Sequence, residues 1–234
     1  MSDRYFVESP VSSHRAVLAG AEAHHLLHVM RAKVGTRVTL FDGSGWQFDA
    51  VVRRISRSEV ELAIAGRQEV DREARIAVTL GAALPKGDRQ KWLVEKVVEL
   101  GVARLVPLET ERGVAQPVAN ALERLRRGVI EASKQCGRNR LMEIAEPKAW
   151  QDFLAENQTA ACRLLAHPRQ EPEQQRLLRP APTQSAALAV GPEGGFTTGE
   201  AALAIAQGWQ PVDLGPRILR VETAAVALAA RVIG

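Results

Sequence analysis

Near residue 76 the chain changes its periodicity, and that change allows two architectures in series rather than one. Before it, apolar residues recur at every second position, as in Val60, Leu62 and Ile64, and tight turns punctuate short runs. Strands are expected at Tyr5–Val7, Arg37–Phe41, Trp46–Ile55 and Glu59–Ala65, with Asp42-Gly43-Ser44-Gly45 closing a hairpin. One helix, Ala21–Lys33, interrupts them, which predicts a small β-barrel over residues 1–70. The polar stretch Glu69–Arg75 reads as a linker. From Ile76 strands and helices alternate. Strands are expected at 76–84, Arg104–Leu108, Cys162–Ala166, Ala186–Val190 and Pro211–Leu214. Helices are expected at Asp88–Leu100, Pro117–Cys136, Gly199–Gln207 and from Val221 to the end, with a shorter unit at 143–156. Leu93, Val97 and Leu100 stripe the first helix, and Val118, Leu122, Leu125 and Val129 stripe the second. That rhythm predicts an α/β domain with a parallel sheet over residues 76–234. The Pro-, Gln- and Arg-rich stretch Pro168–Ser185 reads as an irregular loop or a short frayed helix.

With 46% hydrophobic and 25% charged residues among 234, the chain can bury a core in each part. No apolar run has the length of a spanning helix, and the start lacks a signal pattern, so a cytoplasmic location away from membranes is expected. Cys136 and Cys162 form no zinc or redox motif and read as small apolar residues. His24 and His28 stand four apart on the first helix, but no third ligand accompanies them, so no metal is expected. A net charge of +4 permits a polyanionic partner without requiring one.

Two loops carry the chemistry. Gly191-Pro192-Glu193-Gly194-Gly195-Phe196 follows an apolar strand and precedes a helix, where glycines let a backbone approach a ligand. Its spacing is not the dinucleotide fingerprint, which disfavours a nicotinamide enzyme. Leu214-Gly215-Pro216-Arg217-Ile218-Leu219-Arg220 repeats the arrangement before the last helix, with Glu222 and Thr223 at its start. That helix is apolar almost all round from Ala224 to Val232, which suggests burial against a second copy of the chain.

GPEGGF followed by LGPRILRVETA resembles the signature of the RsmE family of SPOUT methyltransferases, which methylate N3 of a uridine in small-subunit (16S) ribosomal RNA. RYFV, HHLLHVMRAKVGTRVTLFDGSG, EKVVELGV and EASKQCGRNRL resemble family segments in the same order, over nearly the whole chain. The resemblance implies a PUA-like barrel, a catalytic domain with a C-terminal trefoil knot, and a homodimer. It also implies that S-adenosylmethionine binds at Ala166 and His167, at Gly191, Glu193 and Gly195, and at Leu214, Gly215, Ile218, Leu219 and Arg220. Thr223 and Ala224 would close that site.

Neutral uracil carries a proton on N3, so methylation there needs the uracil anion to be stabilised, and a planar guanidinium fits. Arg138, after Gly137 in EASKQCGRNRL, is the first catalytic candidate and Arg220 the second; Glu193 or Glu222 could accept the proton. RNA contacts are expected from Arg4, Arg31, Lys33 and Arg37 in the first domain and from Arg124, Arg127 and Lys134 on one helix face. Aromatic residues are only 4% of the chain, so base stacking on a sheet is not expected. The alternative is a nonenzymatic RNA-binding or ribosome-assembly protein whose α/β part is scaffold.

Overall fold

A computed structural model describes residues 4–11, 14–113, 119–168 and 184–234. Pro117 and Val118 of the expected second helix, and residues 169–183 of the expected loop, lie outside the described residues. The chain divides into two compact units, and the division is not linear. The first unit comprises residues up to Glu73 together with Ser133–Leu141, and the second comprises Ala74–Ala132 and Met142–Gly234. A boundary at residues 70–76 assigns Ser133–Leu141 to the second domain, whereas this segment packs with the first.

In the first unit, β1 (Arg4–Phe6), β2 (Arg15–Ala19), β3 (Arg37–Phe41), β4 (Trp46–Ile55) and β5 (Glu59–Glu69) form one sheet in the order β1-β3-β4-β5-β2. Only β1 and β3 run parallel. Register shifts at Asp49/Ala50 and Val52/Arg54 bend β4. The edge strands β1 and β2 do not pair with each other among the described residues, so the sheet is not closed by hydrogen bonds into a ring. Alternation supplies the core: Leu18, Leu40, Val52, Val60 and Leu62 point inward with Tyr5 and Leu26. Strand β2 was not expected from the pattern. The helix is also shorter than its apolar spacing predicts. After α1 (Gly20–His24) the backbone widens into a π turn over His25–Val29, and Arg31 at φ 54° ends it.

The second unit contains β6 (Ala77–Ala82), α2 (Arg89–Leu100), β7 (Arg104–Glu109), α3 (Ala119–Cys136, whose last turn from Ser133 belongs to the first unit), β8 (Glu143–Ile144), β9 (Lys148–Ala149) and α4 (Trp150–Glu156). It continues with β10 (Cys162–Ala166), β11 (Ser185–Val190), α5 (Thr198–Ala206), β12 (Gln210–Val212) and α6 (Val221–Ile233). Its sheet is parallel in the order β12-β10-β11-β6-β7-β8, with β9 pairing β7 further along. Gly101 at φ 93° stops α2, as its position after the apolar stripe implies. Leu93, Val94, Val97 and Val98 of α2 are fully buried. On α3, Leu122, Leu125 and Val129 are buried as the spacing expects.

Helix α6 corrects one expectation. Ala225, Leu228 and Ala229 are 0% exposed within this single chain, because α6 packs on α2, β6 and β11. A second copy is not needed to cover them. What remains is a narrow strip in which Val226 and Ala227 are half-buried and Ala230 is exposed. No described helix is long and apolar enough to cross a membrane.

Candidate functional site

The three loops singled out by sequence leave the carboxyl ends of three neighbouring parallel strands, β12, β10 and β11. Such an edge is where open α/β sheets bind ligands. After β10, the His167 amide donates to the Val212 carbonyl at 3.1 Å, holding this loop beside the end of β12. After β11, the Gly195 amide donates to the Pro192 carbonyl at 2.8 Å and closes a turn. Phe196 then plugs into an aromatic cluster, its ring 4.5 Å from that of Trp150. Trp150 in turn donates through Nε1 to the Glu200 carbonyl at 3.1 Å. Thr197 and Glu200 form a reciprocal cap that starts α5. After β12, the Gly215 amide donates to Asp213 Oδ1 at 2.7 Å, and Arg231 of α6 donates to the Asp213 carbonyl at 3.1 Å.

Two glycines determine what this edge can hold. Gly195 has φ +67° and Gly215 φ +105°, conformations that other residues adopt at a cost. A side chain built at Gly195 would meet nothing within 4 Å, and at Gly215 only Arg217 Nη2 at 4.0 Å. Both backbones therefore face open space. Three residues after Gly215, Ile218 is 97% exposed, and Leu219 is half-buried. Bare backbone and an exposed apolar side chain in these loops suit a ligand with a planar, weakly polar portion. S-adenosylmethionine would suit this edge, where backbone amides and carbonyls could take its polar groups and an exposed apolar side chain such as Ile218 its adenine. Ala166 and His167 are half-buried, Ala224 is buried, and Leu214 is half-buried; Thr223 is exposed. Burial lowers the His167 pKa from the ordinary imidazole value, so the ring is neutral at pH 7.

The charged candidates divide sharply. Arg220 precedes α6 in extended conformation with its side chain exposed, at the end of the loop that carries Gly215 and Ile218. Arg138, in the first unit, is 3% exposed. Its Nε donates to Glu73 Oε1 at 3.1 Å and its Nη2 to Glu73 Oε2. A guanidinium held by a carboxylate on two nitrogens is not presented as a free cation, so Arg138, the first catalytic candidate, is found engaged with Glu73 in this structure. Arg4 is likewise buried rather than turned to a phosphate. It donates to Gln47 Oε1 at 2.7 Å, to Asn139 Oδ1 at 2.7 Å, and more weakly to the carbonyls of Gly137 and Arg138. Burial, with the nearby charge of Arg72, lowers the Arg4 pKa. Lys134 donates to Glu22 at 2.8 Å with little exposure. Arg31, Lys33, Arg37, Arg124 and Arg127 are exposed. Glu193 is half-exposed and Glu222 buried. No cluster of three or more metal-ligating side chains occurs among the described residues.

Two arginines escaped the sequence reading. Arg89, at the start of α2, faces Glu193 and Glu222, and Arg112 donates to the Gly194 carbonyl at 2.7 Å. Both lie just beyond the carboxyl ends of β6 and β7, and that position in a βαβ rhythm is the signal that could have found them.

Comparison with known proteins agrees with this architecture. Residues 72–233 match the RNA methyltransferase domain model and residues 18–65 the RNA methyltransferase PUA domain model. The ribosomal RNA small subunit methyltransferase E of Synechocystis sp. is 36% identical over 216 residues, covering 91% of this chain and 71% of that protein. A Legionella pneumophila protein solved in complex with bound SAM superposes with a TM-score of 0.88 at 32% identity, covering 98% of this chain and 96% of the other. The Neisseria gonorrhoeae ribosomal RNA small subunit methyltransferase E bound to S-adenosyl methionine superposes with a TM-score of 0.87 at 29% identity, with coverage of 98% and 96%. By the match of its larger part to the RNA methyltransferase model and by this similarity along its length, the chain belongs to the ribosomal RNA small subunit methyltransferase E family.

Proposed function

We propose that this protein transfers a methyl group from S-adenosylmethionine to N3 of a uridine in small-subunit ribosomal RNA. The observation that carries the reading is the strand edge at β12, β10 and β11, where Gly195 and Gly215 bare their backbones to open space and Ile218 is exposed. Family membership supports methyl transfer to ribosomal RNA, and S-adenosylmethionine supplies, when bound, an electrophilic methyl group on a sulfonium.

The chain's own residues then have three tasks. The loops at Ala166–His167, Gly191–Gly195 and Leu214–Arg220 hold the donor, with Thr223 and Ala224 at the base of the site. Neutral His167 adds no positive charge beside a cationic ligand. Arg220 faces the developing uracil anion, whose charge lies on the carbonyl oxygens flanking N3, and its planar fork matches those acceptors. The N3 proton leaves to solvent or to the half-exposed Glu193. Arg31, Lys33, Arg124 and Arg127 contact phosphates, as their exposure permits. Arg138 serves by holding the segment after α3 to Glu73.

Three further features belong to the same reading. The protein is a homodimer, and the strip of Val226, Ala227 and Ala230 left uncovered on α6 supports an interface there. Its C-terminal part forms a trefoil knot, a reading supported by β12 returning to the far side of β10. It works in the cytoplasm, where its substrate is made. The test is mass mapping of small-subunit RNA after incubation with the protein and labelled S-adenosylmethionine. One methyl group at N3 of one uridine is expected, lost with Arg220→Ala. Labelling at carbon, ribose or another base would refute the assignment.

A further inference from the structure

We propose that Arg89 is a positioning residue that ties the loop after β11 to the first turn of α6, and so sets the gap in which the methyl donor sits. The proposal rests on reading those two loops as the cofactor site. Arg89 opens α2, the helix after β6, and β6 is the strand paired with β11. Its guanidinium reaches two carboxylates, one in the loop after β11 and one in the first turn of α6. Nη2 lies 3.3 Å from Glu193 Oε1, and Nη1 lies 3.7 Å from Glu222 Oε2.

The two partners are unlike. Glu193 is half-exposed, and its pairing alone would be worth little. Glu222 has a side chain only 8% exposed, and its Oε2 is buried without a hydrogen bond. A carboxylate in that condition is costly unless a cation faces it, and Arg89 is that cation. Burying Glu222 in the first turn of α6 thus makes the start of the helix depend on Arg89, and through Glu193 on the turn at Pro192–Gly195. Arg112 grips the same turn from the end of β7, but it does so at the Gly194 carbonyl, within the loop. Arg89 differs in spanning from the loop to α6. The span needs a planar fork with two outward-facing nitrogens, which an ammonium lacks.

The test uses the full chain, with S-adenosylmethionine as the titrant in calorimetry and thermal unfolding measured without it. Arg89→Ala should weaken binding on the order of tenfold, through loss of two partly screened ion pairs. Its KM for the donor should rise in proportion, while kcat at saturating donor stays within about threefold. Arg89→Lys should recover only part of the affinity, since one ammonium cannot serve both carboxylates. Glu193→Ala should cost less donor affinity when added to Arg89→Ala than when made in the native protein. Glu222→Gln, equal in shape, gives the same loss of affinity if Arg89→Ala proves too unstable to titrate. Wild-type affinity in Arg89→Ala, while Gly195→Val has lost binding, would overturn the role of Arg89 and leave the cofactor loops standing. Full rescue by lysine, or additive losses in the double variant, would also overturn it. If the wild-type protein does not bind S-adenosylmethionine at all, the reading of the loops fails first and this proposal falls with it.

Discussion

Replacing Arg138 with alanine separates a structural role from a chemical one. In the native protein Arg138 is 3% exposed and its partner Glu73 has a side chain 21% exposed. Removing the arginine strands a carboxylate that water can reach only in part. Breaking a buried pair from one side costs about 3–5 kcal/mol, and the partial access of Glu73 places this case near 3 kcal/mol. For a chain of this length each kcal/mol moves the midpoint by about 2–4 °C, so Arg138→Ala should melt roughly 6–12 °C lower. Replacing both partners, as Arg138→Met with Glu73→Met, removes the stranded charge and should bring the midpoint back to within about 1 kcal/mol of the native value. The assay is thermal unfolding followed by circular dichroism, paired with single-turnover methyl transfer at saturating RNA well below the lowest midpoint. The double variant should regain most of the transfer rate as it regains stability. An Arg138→Ala protein that melts with the wild type yet transfers on the order of a hundredfold more slowly would refute this reasoning and return Arg138 to the chemistry.

Gly195→Val and Gly215→Val should each cost about 1–2 kcal/mol in backbone strain and abolish measurable S-adenosylmethionine binding by calorimetry. Normal binding by both folded variants would mean that the donor sits elsewhere. Because burial depresses the His167 pKa below its unfolded value, its contribution to stability is present above the unfolded value and lost as the pH falls through the folded one. Donor affinity should fall over the same acidic window, as an imidazolium forms beside a sulfonium, and His167→Asn should flatten that dependence in calorimetric titrations across pH. Val226→Glu with Ala230→Glu should yield a folded monomer by light scattering, whereas Ala225→Glu should unfold the chain, since Ala225 is 0% exposed within one protomer. A dimer that survives the first pair of changes would place the interface away from α6.

Local patterns were legible and distant partners were not. Alternation in Val60, Leu62 and Ile64 marked β5, and Gly101 marked the end of α2, because both signals act over a few residues. The glycine loops were legible for the same reason, and the parallel sheet brought them to one edge. By contrast, Arg138 looked like one more cation at the end of a basic helix face. Its partner Glu73 stands 65 residues earlier, and nothing local announces the pairing. Arg4 misled in the same way, since its acceptors other than Gln47 lie in residues 137–139. Helix α6 misled because alanine-rich circumference records burial without saying by what. The π turn at His25–Val29 was hidden, as the apolar spacing of HHLLHV also suits an ordinary helix.

The interleaving of Ser133–Leu141 with the amino-terminal sheet has a consequence for synthesis. Arg4 finds Asn139 Oδ1, Asn139 finds the Val70 carbonyl, and Arg72 finds the Gly137 carbonyl only after the ribosome has made residue 139. At about 5–20 residues per second, the stretch between Glu73 and Leu141 delays completion of the first unit by roughly 3–14 s after its own strands have emerged. During that interval Arg4 has Gln47 but lacks its acceptors in residues 137–139, while much of the second unit's sequence emerges. A gene fragment ending at residue 73 would encode that waiting state permanently. It would leave the amino-terminal sheet lacking the segment that satisfies Arg4.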